Sequence, residues 1–335
     1  LGGTARSEIV MTLSVLADIG GTNTRVALVE GLALREGSIR RYANADYQAQ
    51  GQDISAILSD YLAECGAEVE GVCVAAAGPV QDGVAQMTNL NWVISPADLR
   101  AATGAAKVAI LNDLQAQGHA LGHIAPAHLL RVMAGPQPKG SMLVVGLGTG
   151  VNAAAVHGTG AARLVPPSEC GHINLALRGE EDLALMRFIE GQLAAKGEPA
   201  HCGVEEVLSG RGLGNLFAFV ADQAGSAARA RSAEVFAALS REEPLAVQTA
   251  ALYTRLLAQF LADQALIHLP YGGIYLIGGM ARAMSGQFER FGLSHHFREA
   301  RRVDLLVKDF SISVVEDDYA ALTGCAAYLE AHFGE

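Results

Sequence analysis

SVLADIGGTNTRVALV, residues 14–29, is the stretch on which the reading of this chain turns. Two apolar runs, 14–17 and 26–29, flank a polar centre made of Asp18, Gly20, Gly21, Thr22 and Asn23. Apolar runs punctuated by such turn formers predict two strands joined by a tight turn. MLVVGLGTGVNAAAV, residues 142–156, repeats the plan with Gly148, Thr149 and Gly150 at its centre. The two copies lie too far apart for a solenoid repeat, so they predict two halves of related architecture.

Working outward, EGVCVAAA (70–77), KVAIL (107–111) and GIYLI (273–277) read as short buried strands. Residues 181–195 carry Leu183, Met186, Phe188, Ile189 and Leu193 at helical spacing. A longer helix is predicted over 244–268, with Leu252, Leu256, Leu257, Phe260 and Leu261 on one face, and an alanine-rich one over 318–333. Segments 221–243 and 294–302 are the most polar and are placed on the surface. Strands alternating with helices predict an α/β protein.

The bulk properties narrow the function. With 335 residues, half of them hydrophobic, the chain can bury one large core or two domains around a cleft. Its 24 Lys and Arg against 35 Asp and Glu give a net charge of −11, which disfavours a nucleic-acid partner. An acidic protein can still hold one nucleotide if backbone amides and a cation supply the local positive field. The five cysteines are scattered, with no C-x-x-C pair, as expected in a reducing cytosol. No apolar run is long enough to span a membrane, and residues 1–11 read as an extension without the apolar core of a signal peptide.

Several residues could carry chemistry. Asp18 to Asn23 and Gly148 to Gly150 could each form an amide-lined pocket for phosphate, although both also suit ordinary hairpin turns. Asp18 could hold Mg²⁺ through water. Gly278 and Gly279, after the strand GIYLI, would let the chain pass close to a nucleoside, although strand-to-helix turns use glycine routinely. Asn112 and Asp113 end a predicted parallel strand, the edge where open α/β sheets place ligands. A carboxylate there could accept a hydroxyl proton, but it would serve equally as a helix cap. Glu169 and His172 stand three apart in a turn and match the donor and acceptor pattern of a sugar. Glu205 is a further acidic candidate, equally suited to a solvated first helical turn.

In series, LADIGGTNTRVALVE, AAAGPV with MTNLNWVIS, ILNDLQAQG, GLGTGVNAA, PSECGH, VEEVLSGRGL and GGIYLIGGM resemble the bacterial glucokinase family, within the hexokinase–actin-like ATPase superfamily. The resemblance runs from about residue 14 to the C-terminus. It implies an actin-like ATPase (ribonuclease H-like) fold of two duplicated α/β domains around a central cleft. The small domain would comprise 12–113 with 317–335, and the large one 114–316. It further implies ATP-dependent phosphorylation of glucose at the 6-hydroxyl, with ATP and Mg²⁺, in a cytoplasmic homodimer. By the same resemblance Asp113 is the catalytic base. Asn112, Asp113, Glu169, His172 and Glu205 contact the sugar. Asp18, Gly20, Gly21, Thr22, Asn23, Gly148, Thr149, Gly150, Gly278 and Gly279 contact the nucleotide. Three positions depart from the family's usual pattern. Cys170 replaces the first glycine of E-G-G-H, Asn152 replaces a glycine after the second loop, and Leu114 stands where an aromatic is common. These departures put weight on a second reading, a kinase for another hexose or amino sugar. The third is a regulator that binds sugar or nucleotide without turnover.

Overall fold

The structure, a computed structural model, describes residues 13–87, 89–136, 139–303 and 308–334; the extension at 1–11 lies outside them. The chain forms two compact units. The first comprises residues 13–124, 159–163 and 318–334, and the second 125–158 and 164–317.

Unit one is built on β1 (Leu13–Ile19), β2 (Asn23–Glu30), β3 (Ala33–Leu34), β4 (Arg40–Ala43), β5 (Gly71–Ala76) and β9 (Lys107–Asn112). The strand order is β3-β2-β1-β5-β9, with β4 also paired to β2. A smaller sheet of β6 (Val80–Gln81), β7 (Val84–Met87) and β8 (Trp92–Ile94) accompanies it. β1 runs antiparallel to β2 and parallel to β5, which is parallel to β9. The pleat sends Val15, Ala17 and Ile19 into a core with Ile54, Ile57 and Leu58. Leu16 points to the other face, into a core with Leu322, Cys325 and Leu329. Burial on both faces is why β1 reads as a continuous apolar run rather than an alternating one.

Helices α1 (Asn44–Gln48), α2 (Ile54–Cys65), α3 (Pro96–Thr103) and α4 (Asp113–Ala120) complete the unit with the C-terminal helix, Ala320–Phe333. α4 is held at three points. At its start Asn112 is the cap: its Oδ1 accepts from Leu114 N at 3.0 Å, while Gln115 Oε1 accepts from Asn112 N at 3.1 Å. Such reciprocal capping contributes about 1 kcal/mol. At its end Arg163 Nη1 donates to the carbonyls of His119 and Leu121, at 2.8 and 2.6 Å. Along its flank the C-terminal helix lies so close that a Cβ on Gly324 would overlap the Ala116 carbonyl.

Unit two contains β10 (Leu129–Met133), β11 (Met142–Leu147), β12 (Val151–Val156), β13 (Ile274–Ile277) and β14 (Ile312–Val315), in the order β10-β14-β13-β11-β12. β11 is antiparallel to β12 and parallel to β13, which is parallel to β14. A hairpin followed by two parallel neighbours is the plan of unit one, so the duplication expected from the paired hairpins is present. The helices are α5 (Glu180–Ala195), α6 (Glu205–Leu208), α7 (Gly210–Gln223), α8 (Ser232–Ser240), α9 (Pro244–His268), α10 (Gly279–Ser285) and α11 (Leu293–Phe297). α9 spans the predicted range and buries Leu252, Leu256, Leu257, Phe260 and Leu261. Segments 221–243 and 294–302 are less superficial than their composition suggests. α8 buries Val235, Ala238 and Leu239, and α11 buries Phe297 within the second segment. Among the described residues no helix is long and apolar enough to cross a membrane.

Candidate active site

In unit one, Asp18 to Asn23 form the β1–β2 turn, where Gly20 N donates to Asn23 O at 3.0 Å. Gly21 and Thr22 are exposed at its tip. The turn rests on Asn44, a buried residue that sequence reasoning missed. Its Nδ2 donates to Gly20 O at 2.8 Å, its N–H donates to Thr22 O at 3.0 Å, and its Oδ1 accepts from Thr24 Oγ1 at 2.7 Å. Nothing local in sequence marks Asn44, which reaches the turn from beyond β4.

Asp18 stands opposite Arg25 in the β1–β2 register, and Arg25 Nη1 donates to its Oδ2 at 3.2 Å. Burial pushes the Asp18 carboxyl up from its ordinary pKa, against the pull of Arg25. The hairpin register could have shown this partner from sequence. Among the described residues no three His, Cys, Asp or Glu side chains gather to hold a metal ion. A lone carboxylate suits Mg²⁺ only as an outer contact, since that ion keeps waters and takes most of its other oxygens from phosphate.

Asn112 and Asp113 lie where β9 passes into α4. Asn112 does the capping, and its Nδ2 donates to Gly78 O at 2.9 Å. Asp113 is the first helical residue and is exposed, with Oδ1 accepting from Leu114 N at 2.8 Å. The cap is therefore supplied by its neighbour, and Asp113 beside it is exposed.

In unit two, Gly148, Thr149 and Gly150 form the β11–β12 turn, with Thr149 exposed. Gly148 O accepts from Gly210 N at 2.8 Å, which ties the turn to the start of α7. Beside it a cavity of about 620 Å³ is lined by Gly210, Arg211, Asn215, Arg229, Arg231 and Ser232 among others. Gly278 and Gly279 form the β13–α10 junction. Gly278 has φ +98°, and a Cβ there would overlap the Leu147 carbonyl, so only glycine fits.

Glu169 precedes and His172 ends a single 3₁₀ turn, Cys170–His172, closed by His172 N donating to Glu169 O at 3.1 Å. Both are exposed. Glu205 opens α6 and is more committed than expected. Its Oε2 accepts from Val151 N at 3.0 Å, and a Cβ on Gly150 would come within 2.7 Å of the same oxygen. Its Oε1 faces Arg211 Nη2 at 3.4 Å, and Arg211 also binds Glu206 at 2.7 Å. Arg211 was passed over in sequence, although it lies in the quoted stretch VEEVLSGRGL. Unit one thus brings together Asp18 to Asn23 around the first turn and, at the end of β9, Asn112 with Asp113. Unit two brings Glu205 against Gly150.

The glucokinase family profile matches residues 15–332. A glucokinase from Saccharophagus degradans is 30% identical over 321 residues, covering 94% of this chain and 98% of that protein. Among solved structures, a glucokinase from an Antarctic psychrotroph superposes with a TM-score of 0.83 at 24% identity, covering 95% and 99% of the two chains. A ROK family glucokinase from Streptomyces griseus, solved with glucose and AMPPNP, matches with a TM-score of 0.57 at 19% identity, over 94% and 98%.

Proposed function

The chain belongs to the glucokinase family, and from its geometry we propose how it performs that family's reaction, transfer of the γ-phosphoryl group of ATP to the 6-hydroxyl of glucose. The observation that carries the proposal is the division of labour at the head of α4. Asn112 serves as the cap, and the exposed carboxylate of Asp113 beside it takes the proton of the attacking hydroxyl. Asn112, Glu169, His172 and Glu205 contact the remaining sugar hydroxyls. Gly20 to Asn23 and Gly148 to Gly150 supply backbone amides to the phosphates, and Gly278 and Gly279 border the nucleoside. Mg²⁺, bound with the phosphates and reached by Asp18 through water, would neutralise charge on the transferring group. The catalytic contribution of these residues is positioning and charge stabilisation rather than covalent chemistry.

Replacing Asp113 by Ala is expected to lower kcat by roughly 10²–10⁴-fold, the usual weight of a general base. Glucose binding, read by calorimetry, should survive. Near-normal turnover would remove Asp113 from the role. Cys170, Asn152 and Leu114 favour a second reading in which another hexose is preferred; ADP release across a panel of hexoses, and with none, separates the two. We extend the proposal to a homodimer in the cytoplasm. Light scattering that gives the mass of a single chain would remove the dimer.

A further inference from the structure

Asn152 and Cys170, the two residues that break the glycine pattern, meet in unit two. Asn152 sits on β12, and its side-chain amide reaches both flanks of Glu169. On one side Nδ2 donates to the Ser168 carbonyl. On the other, Oδ1 accepts from Cys170 N at 3.2 Å and from Cys170 Sγ at 3.5 Å. The orientation of the amide is dictated by these partners. A flipped amide would set oxygen against the Ser168 carbonyl and N–H against the Cys170 N–H. Ser168 Oγ gives Cys170 N a second acceptor at 3.2 Å.

Glu169 itself has φ −130° and ψ 41°, outside the regular helical and strand regions. Here the preceding carbonyl and the following N–H are both fixed by one side chain. The Glu169 carbonyl then closes the turn that carries His172.

We infer that Asn152 and Cys170 together form a positioning device that sets the backbone of Glu169, and through it the Glu169–His172 sugar turn, so that sugar affinity depends on the Asn152 amide. The inference rests on the glucokinase reading, because it assigns Glu169 and His172 to the sugar. Neither Asn152 nor Cys170 needs to touch the sugar to act in this way.

The test is calorimetry with glucose alone and with AMPPNP alone, on the full chain and on Asn152→Ala, beside a thermal melt. The expected result is glucose binding weakened about tenfold or more, with AMPPNP affinity within about threefold of wild type. A merely structural role would weaken both ligands together and lower the melting temperature. Should Asn152→Ala fail to fold, Asn152→Asp keeps the volume and the Oδ1 acceptor but replaces the donor facing Ser168 with a second oxygen. The same split is expected from it. Cys170→Ser, which keeps both donors to Asn152, should hold glucose affinity within about threefold. Unchanged glucose affinity in the Asn152 variants, or equal loss of both ligands, overturns the inference alone. A wild-type chain that binds neither ligand overturns the glucokinase reading and the inference with it.

Discussion

The Glu205 carboxylate is divided between two neighbours, the Val151 amide and the Arg211 guanidinium. Its Oε2 occupies the space that a side chain at position 150 would need, so Gly150 and Glu205 form one fitted contact. Removing the acid leaves a half-buried amide without its acceptor, a loss of about 1–3 kcal/mol. Glu205→Ala should therefore weaken AMPPNP binding roughly tenfold even with no sugar present. Glu205→Gln, which keeps an acceptor for Val151, should stay nearer wild type. A residue that served the sugar alone would leave sugar-free nucleotide affinity untouched. Cys170 offers a separate reading of the same region. Burial pushes its thiol above the usual range, so little thiolate forms near pH 7. Alkylation, followed on the Cys170 peptide, should speed up as pH rises through 8 and 9, and glucose should slow it; an unchanged rate on adding glucose would show that glucose does not cover this turn. At this scale the sequence announced residue types rather than partners. Asp18 and Arg25 could be paired by counting across the hairpin. Asn44 and Asn152 could not be assigned partners, because each bonds residues that only the tertiary fold brings near, whereas Arg211 meets Glu205 and Glu206 within one short stretch.

Among the elements, α4 is held at three points, capped at Asn112, clamped by Arg163 and pressed by the C-terminal helix. Gly324→Ala would drive a methyl group into the backbone of α4, and backbone yields less readily than the end of a flexible side chain. Overpacking of this kind costs typically 1–3 kcal/mol. The melting temperature should fall by several degrees, and kcat should fall with it if α4 retreats and carries Asp113 along. An unchanged melt would show that the two helices separate at little cost. The hairpins and α9 were legible because their apolar spacing is sustained and their turns are strongly marked. α8 was not, because its buried stripe is only Val235, Ala238 and Leu239, between Arg231 and Arg241. α11 is shorter still, with His295 and His296 beside buried Phe297.

For the whole molecule, the two units share a strand plan, and burial lowers the pKa of a histidine in each, His119 in unit one and His268 in unit two. In unit one His119 is buried against Tyr328, ring centroids 5.0 Å apart, and burial together with Arg163 lowers its pKa to about 4. The unfolded chain, with an ordinary histidine near 6.5, then binds more protons between pH 6.5 and 4. Stability is lost as pH falls through that window, by at most about 1.4 kcal/mol per pH unit, and is unaffected by His119 above it. Hydrogen exchange at pH 7 and pH 5 should show this loss in β1, β5 and α4 of unit one. Equal protection at both values would mean that His119 escapes to solvent. The duplication was visible in sequence because both hairpins kept their glycine turns. The return of residues 159–163 to unit one was not, since a single arginine gripping two carbonyls leaves no periodic trace.

That return has a consequence for how the protein is made. Unit one is assembled from three separated pieces of chain, the last of which is the C-terminal helix that walls one side of its sheet. Synthesis delivers the strands first, yet Leu16, Cys73 and Ala75 await Leu322 and Cys325 until the third piece has been made. Unit one is thus completed only after unit two has been made, and until then the nascent protein carries an open, greasy sheet face that a chaperone would have reason to cover.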